Sequence, residues 1–562
     1  MAGAPPLVDV ENLTFRYRRA TEPAIRDISL AVAPGEVLLV AGPSGCGKST
    51  LIRAINGLIP HSYPGELTGE VRVGGRPTAG LKLRDIAATV GTVLQDPGKQ
   101  IVGSTVEAEL AFGPENFGID RATIRDRIRR VADVAEIGPL LARETSALSG
   151  GELQLLAMAG ILMMEPRLYV IDEPLANLDP ATAGRLLGIL RTLADAGNAV
   201  IIVEHRVEEA LALRPDRVLY LDGGRERFHG DVAGFLKIAD PREVKLPFDV
   251  ILARALAAAP KAADSGVPAA AQIEADGVPR LEFRHVSASI GTHPVLHDLD
   301  VALGSGEVVA ILGPNGSGKT TMFRTAMKLL PVTDGEIVVD GQSTKNRTTS
   351  QLASTFGYVF QSPSQMLFAR TVRQELVFGP KNLGRSPESL DGIVDDALRR
   401  TSLDDLEGIR ERPPLALSFG QQKRLALAIA LALEPPTLIL DEPSAGQDHR
   451  TADAFMREIA RIRGVESLYF ITHDVDLALT HANRILLFRE GRIVADGSPR
   501  EVIEDDERWL ACNLTRTSLM TANRRWGPTS GFLDADSLAR SIASRGAAGL
   551  GEGGVPSQIP EV

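Results

Sequence analysis

A nine-residue pattern occurs twice in the chain. Gly42-Pro43-Ser44-Gly45-Cys46-Gly47-Lys48-Ser49-Thr50 and Gly313-Pro314-Asn315-Gly316-Ser317-Gly318-Lys319-Thr320-Thr321 both fit G-x-x-x-x-G-K-[ST]. The first follows an apolar run, Val37-Leu38-Leu39-Val40-Ala41, that reads as a buried strand. It precedes Leu51-Ile52-Arg53-Ala54-Ile55, which reads as a helix. Strand, glycine turn and helix are the context that a phosphate-binding loop needs. Glycines let the backbone curl until its N–H groups point at phosphate oxygens, and the helix N-terminus adds partial positive charge there. Lys48 has the length to reach the β- and γ-phosphates, and the Ser49 hydroxyl suits Mg²⁺.

The rest of the chain follows the same duplication. Lys48 and Lys319 lie 271 positions apart, Gln95 and Gln361 266, Ser149 and Ser418 269, Asp172 and Asp441 269, and His205 and His473 268. Near-constant offsets predict two copies of one domain, placed at 6–245 and 280–510. Residues 246–279 are assigned as an Ala/Pro-rich linker, in which Ala257 to Val278 reads as the linker proper with a short helix before it. Residues 511–562, ending in a Gly-rich stretch over 546–554, read as a disordered tail. Within each copy, apolar runs alternate with helical patterns. That predicts an α/β fold, a mostly parallel sheet with flanking helices.

Bulk properties narrow the class. The chain has 562 residues, too many for one core, and a formal net charge of −11 that argues against nucleic acid as a partner. Two cysteines, Cys46 and Cys512, give no disulfide framework and suit a reducing cytoplasm. Cys46 reads as a small loop residue rather than a nucleophile. The first residues show no signal peptide. The longest apolar run, Leu155 to Met164, is about half a membrane span, so work at a membrane would need another chain to cross it.

Each half carries an acidic strand end, Leu168-Tyr169-Val170-Ile171-Asp172-Glu173 and Thr437-Leu438-Ile439-Leu440-Asp441-Glu442. Such strands place acids at the edge of the sheet where the phosphate loop also sits. Asp172 and Asp441 suit Mg²⁺; Glu173 and Glu442 suit polarising an attacking water. His205 and His473 each close a strand at matched offsets, which favours sensing of the γ-phosphate. Tyr17, in Leu13-Thr14-Phe15-Arg16-Tyr17, could stack on a base or be a half-buried strand aromatic. Its counterpart by position is Ile290, which has no π-face.

Leu148-Ser149-Gly150-Gly151-Glu152 and Leu417-Ser418-Phe419-Gly420-Gln421 complete the set. They resemble the LSGGQ signature of ABC ATPases, and the order of all motifs is that family's. The resemblance implies two tandem P-loop NTPase domains, each with a helical signature subdomain, that bind ATP and Mg²⁺ and hydrolyse ATP. It implies composite sites, with ATP held between the phosphate loop of one domain and the signature of the other. One would join Tyr17, the loop Gly42 to Thr50, Gln95, Asp172, Glu173 and His205 with Ser418, Gly420 and Gln421. The other would join the loop Gly313 to Thr321, Gln361, Asp441, Glu442 and His473 with Ser149, Gly150 and Gly151. By the same resemblance Glu173, Glu442, His205, His473, Gln95 and Gln361 are catalytic, and Ser49, Gln95, Asp172, Thr320, Gln361 and Asp441 hold the metal. Glu152 and Phe419 depart from the signature, and Leu155 stands where the family usually has Arg. Two active sites of unequal rate are therefore expected, the one that Phe419 would face being the weaker.

Two further stretches are more specific. Gln95-Asp96-Pro97 leads to Thr105-Val106-Glu107-Ala108-Glu109-Leu110-Ala111-Phe112-Gly113-Pro114-Glu115-Asn116, and Gln361-Ser362-Pro363 leads to Thr371-Val372-Arg373-Gln374-Glu375-Leu376-Val377-Phe378-Gly379-Pro380-Lys381-Asn382. This pattern, with Val203-Glu204-His205-Arg206, looks like the ATPases of energy-coupling factor importers of vitamins or transition-metal ions. That resemblance implies a peripheral ATPase on the cytoplasmic face of the membrane. Its partners would be a transmembrane coupling subunit and a substrate-binding membrane subunit. A ribosome-associated twin-ABC protein or a fused sugar-import ATPase would share the two domains. The short Ala/Pro-rich connector and negative charge disfavour the first, and the retention of both glutamates disfavours the second.

Overall fold

In the computed structural model the described residues are 5–175, 178–258, 276–445, 447–528 and 531–545. They divide into two compact units, one built mainly on Met1–Pro260 and the other mainly on Lys261–Gln447 with Thr451–Ile542.

The first unit is organised by a six-stranded sheet. Its order is Arg225–Gly230, Arg217–Asp222, Val37–Ala41, Ala199–Val203, Leu168–Asp172 and Val90–Val93. The last five strands are parallel, and Arg225–Gly230 adds an antiparallel edge. The strands Val37–Ala41, Leu168–Asp172 and Ala199–Val203 are buried at every residue. That explains their unbroken apolar sequences, since a strand covered on both faces has no polar side to alternate with. Register then sets the site. Val40 and Asp172 both pair with Val203, so Gly42, Glu173 and Glu204 leave the same edge of the sheet together.

A second sheet was not legible in the sequence. It is antiparallel and four-stranded, in the order Ile25–Val32, Val8–Tyr17, Gly65–Val73 and Arg76–Pro77. Its inward residues Val8, Val10, Leu13 and Phe15 share one core with Leu38, Val40, Leu51, Ile52 and Ile201. Each such side chain removed from water contributes roughly 1.5–3 kcal/mol. The helices Val106–Asn116, Arg121–Val134 and Gly150–Leu162 form a helical subdomain.

The second unit repeats the plan. Its six-stranded sheet runs Phe356–Val359, Thr437–Asp441, Ser467–Ile471, Val308–Leu312, Arg484–Arg489 and Arg492–Gly497, with a four-stranded antiparallel sheet beside it. The helical subdomain has its own core, in which Leu367, Val372, Leu376, Leu398, Leu425 and Ala428 meet.

Two boundaries are corrected. Within the region 246–279, the short helix expected before the linker is Phe248–Ala257, with Phe248, Val250, Ile251 and Leu252 buried, and the strand Asp276–Ile290 starts before position 280. The tail expected over 511–562 is partly built into the second unit. Cys512, Leu514 and Met520 join the core with Trp509, and helices run over Ser518–Trp526 and Ala535–Arg545. Helical spacing of apolar residues, not Gly content, governs this stretch. The Gly-rich stretch over 546–554 lies outside the described residues, as do most of the Ala/Pro-rich connector, Ala176, Asn177 and Gly446.

Candidate active site

Both phosphate loops depend on glycine geometry. Gly42, Gly45 and Gly47 have φ of +147°, +80° and +106°. A Cβ on Gly42 would stand 2.3 Å from the Leu221 carbonyl oxygen, and one on Gly47 2.6 Å from that of Ala24. Gly313, Gly316 and Gly318 repeat the conformation at +149°, +75° and +104°. The loop opens directly into the helix Lys48–Ile55, or Lys319–Ala326 in the second domain. The buried lysines lie inside the curl: Lys48 Nζ donates to the Gly42 and Pro43 carbonyls at 2.8 and 2.9 Å, and Lys319 Nζ to those of Gly313 and Pro314 at 2.8 Å each. Cys46 is buried, and burial pushes its thiol up, which suits a loop residue and not a nucleophile.

The acids sit at the foot of each loop. Burial, reinforced by the Glu173 charge, pushes Asp172 up to about 6, against hydrogen bonding from Ser49 and the charges of Lys48 and Arg53. Asp172 Oδ1 is buried without a hydrogen-bond partner. A buried, unsatisfied carboxylate oxygen beside a hydroxyl, under a phosphate loop, is a donor set that fits a hard divalent cation such as Mg²⁺. In the second domain Asp441 Oδ2 accepts from Thr320 Oγ1 at 3.1 Å and from the Tyr358 hydroxyl at 3.0 Å. Tyr358 was not singled out from the sequence. Its counterpart by offset is Thr92, so no repeated signal marked it.

Glu173 and Glu442 have left-handed backbones, with φ of +49° and +51°. Non-glycine residues are strained there, and such strain persists only where surrounding contacts hold it. Glu173 N–H donates to Val203 O at 3.0 Å and Glu442 N–H to Ile471 O at 2.9 Å, so both turns lean on the histidine-bearing strand. Gln95 Nε2 donates to Glu173 Oε2 at 2.7 Å, and His205 Nδ1 lies 3.8 Å from Glu173 Oε1. Burial raises the Glu173 carboxyl, but His205, Lys48 and Gln95 outweigh it and hold it below the usual range. Burial lowers the His205 imidazole, and the Glu173 and Glu204 carboxylates more than reverse this. In the second domain His473 Nε2 lies 3.2 Å from Glu442 Oε1. There burial dominates and raises the Glu442 carboxyl, opposed by Lys319 and reinforced by Asp441.

The signature residues belong to the helical subdomains. Ser149 caps the helix Gly150–Leu162, accepting from Glu152 N–H at 3.3 Å while Glu152 accepts from Ser149 N–H at 2.7 Å. Ser418 and Gln421 make the same reciprocal pair at 3.3 and 2.9 Å. Glu152 thus fills the capping role that glutamine fills in the other copy. Gly151 is buried, and Phe419 opens its helix as a half-exposed ring. Tyr17 is half-buried; its hydroxyl meets Thr50 Oγ1 at 3.2 Å and accepts from Arg53 at 2.8 Å, and its ring stands edge-on to Phe15. Ile290 is exposed.

A second pair of glutamates, Glu109 and Glu375, recurs in the repeated pattern. Glu109 Oε2 accepts from the N–H groups of Val102 and Gly103 at 2.8 and 2.6 Å, and Glu375 Oε2 from those of Phe368 and Ala369 at 3.1 and 2.7 Å. Each carboxylate fixes the loop that follows Gln95 or Gln361. Recurrence of the acid at the same place in both copies was the available signal.

The ABC transporter family profile matches residues 25–176 and 296–445. The chain belongs to the ABC transporter family. A putative ABC transporter ATP-binding protein of Methanosarcina acetivorans is 34% identical over 91% of this chain and 88% of its own length. One of Enterococcus faecalis is 33% identical over 93% of this chain and 96% of its own. The structure of cbiO1 from Clostridium perfringens, described as part of the ABC transporter complex cbiONQ, is 31% identical, with a TM-score of 0.37, and covers 42% of this chain and 95% of that one. This ABC protein is an ATP-binding ATPase with two ABC domains. Among the described residues no helix is long and apolar enough to cross a membrane.

Proposed function

We propose that this ATPase energises a membrane importer of the energy-coupling factor type, for a vitamin or a transition-metal ion, from the cytoplasmic face. One observation carries the reading. Directly after Gln95 and Gln361, each domain exposes an apolar patch: Val102 and Phe112 in the first, Phe368 and Phe378 in the second. Phe368 and Phe378 stand edge to face with centroids 4.8 Å apart, and Phe368 is 67% exposed. Aromatic pairs left in water beside a fixed loop suit the apolar face of a partner helix. The stapling glutamates give each patch a defined shape, and the membrane-spanning chain supplies the helix. The repeated T-V-x-x-E-L-x-F-G-P-x-N pattern supports the importer type.

Within this reading each ATP is held between a phosphate loop and the signature of the other domain. Ser49 with Asp172, and Thr320 with Asp441, supply oxygen ligands for Mg²⁺, with Gln95 and Gln361 beside them. The metal, when bound, neutralises phosphate charge. Glu173 and Glu442 orient and polarise the attacking water. His205 and His473 sense the γ-phosphate, and closure on ATP followed by reopening moves the docked helices.

The test is purification of this chain from mildly solubilised membranes with identification of its companions. A multi-span protein together with a small substrate-binding membrane protein is expected. Recovery with ribosomal proteins and no membrane partner would refute the importer reading.

A further inference from the structure

We infer that the segment just after each catalytic-position glutamate is held by a positioning residue from a different element in each domain: Glu204, beside His205, in the first, and Lys423, on the signature helix, in the second. This rests on the shared ATPase activity and not on the importer type, so a failed search for membrane partners leaves it standing.

In the first domain Glu204 is wholly buried. Its Oε1 accepts from Leu175 N–H at 2.9 Å, two residues beyond Glu173. Its Oε2 accepts from the N–H groups of His205 and Arg206 at 3.2 and 3.4 Å. Arg206 in turn donates to the Leu175 carbonyl at 2.8 Å. One carboxylate therefore joins the peptide of the histidine to the peptide that follows the strained glutamate. A buried carboxylate is retained in a core only when such donors surround it.

The second domain has no acid at that place. Thr472 stands there, its Oγ1 accepting from Asp474 N–H at 3.0 Å and lying 3.5 Å from Ser444 Oγ. The hold comes from the opposite side. Lys423, buried on the helix Phe419–Leu431, donates from Nζ to the carbonyls of Pro443 and Ala445 at 2.7 Å each and approaches that of Glu442 at 3.4 Å. Three converging carbonyls form a cradle for an ammonium, and they include the peptide of Glu442 itself. The first domain has Gln154 at the equivalent position, equally buried but uncharged.

The consequence is mechanical. Both glutamates occupy left-handed backbone that must be held in place. In the first domain a shift of the His205 strand is transmitted to the Glu173 turn. In the second a shift of the signature helix is transmitted to the Glu442 turn. Both turns lean on their histidine strand, and the Glu442 turn is tied to its domain's signature helix as well, so the two sites differ in whether the signature reaches the glutamate.

Each residue serves one site, so the full chain carrying both Glu204→Gln and Lys423→Met is the test variant. Its kcat for ATP is expected to fall about tenfold, with KM within about twofold of the parent and the melting midpoint above the assay temperature. In the Glu204→Gln background, Lys423→Arg keeps the charge and donors and is expected to stay within about twofold of Glu204→Gln alone, whereas Lys423→Met there falls about fivefold below it. Should the double variant fail to fold, Glu204→Thr with Lys423→Gln installs at each place the residue the other domain uses and is read in the same way. The inference is overturned if kcat of the folded double variant stays within about twofold of the parent, if KM rises while kcat holds, or if Lys423→Arg loses as much as Lys423→Met.

Discussion

Gln95 donates to Glu173 at 2.7 Å, and the same glutamine begins the loop that Glu109 staples below the exposed patch. The carboxylate proposed to polarise water is therefore one hydrogen bond from the segment proposed to receive a partner. Gln95→Leu keeps the bulk and removes the donor. Total ATP turnover is expected to fall by about half or more, because one of the two sites loses its oriented base. Steady-state phosphate release checks this, and full turnover would break the link.

Replacing both carboxylates tests the base assignment. Glu173→Gln with Glu442→Gln preserves shape but leaves no group to accept a proton. Turnover is expected to drop at least about a hundredfold while ATP binding persists. Equilibrium nucleotide binding and phosphate release are measured on one preparation, and retained turnover removes the assignment.

Tyr17 presents a ring edge-on to Phe15 and a hydroxyl held by Thr50 and Arg53. Tyr17→Ala is expected to weaken ATP binding at one site by about 1–2 kcal/mol if the ring packs on adenine. Tyr17→Phe keeps the ring and is expected to bind as the parent does. Calorimetric titration distinguishes the two, and equal affinity in the alanine variant assigns Tyr17 to the core alone.

How much of this was legible follows from what each feature is made of. The phosphate loops, acidic strands and signatures are contiguous in sequence, and duplication doubled each signal, so the parallel sheet and its loaded edge could be read directly. The antiparallel sheet could not. Its strand Val8–Tyr17 pairs with the nearby Ile25–Val32 on one side but with Gly65–Val73, beyond the phosphate loop and helix, on the other, and such register leaves no local pattern. Tyr358 and Lys423 were missed for a related reason. Each acts in one copy only, through a side chain crossing to a distant segment, and their counterparts Thr92 and Gln154 broke the repeat that made other residues visible.

The aromatic pair of the second domain gives a direct test of docking. Phe368→Ser with Phe378→Ser alters exposed rings that lie outside the phosphate loop and the acids. Soluble ATP binding is expected to match the parent, and co-purification of the membrane partner is expected to fall at least about tenfold, since central aromatic anchors carry most of an interface's energy. Quantitative mass spectrometry of the isolated complex measures the loss, and undiminished recovery moves the docking surface elsewhere.

Met520 tests the revised boundary of the second domain. A reading from composition assigns it to a disordered tail, where truncation to alanine would cost nothing. In the structure its side chain is wholly buried, sharing a core with Trp509, Cys512, Leu514 and the sheet residues Leu487 and Phe470. Its helix Ser518–Trp526 is capped by Thr517, which accepts from Met520 N–H at 3.0 Å. Asn523 ties that helix forward, donating to Leu533 O at 3.0 Å and accepting from Leu533 N–H at 2.9 Å. Met520→Ala is therefore expected to destabilise the second domain by about 2–5 kcal/mol, through lost burial and the cavity left behind. Denaturant unfolding followed by tryptophan fluorescence reads this, because Trp509 is buried in the same core and Trp526 ends the same helix. A midpoint equal to the parent's would return residues 511–545 to the tail.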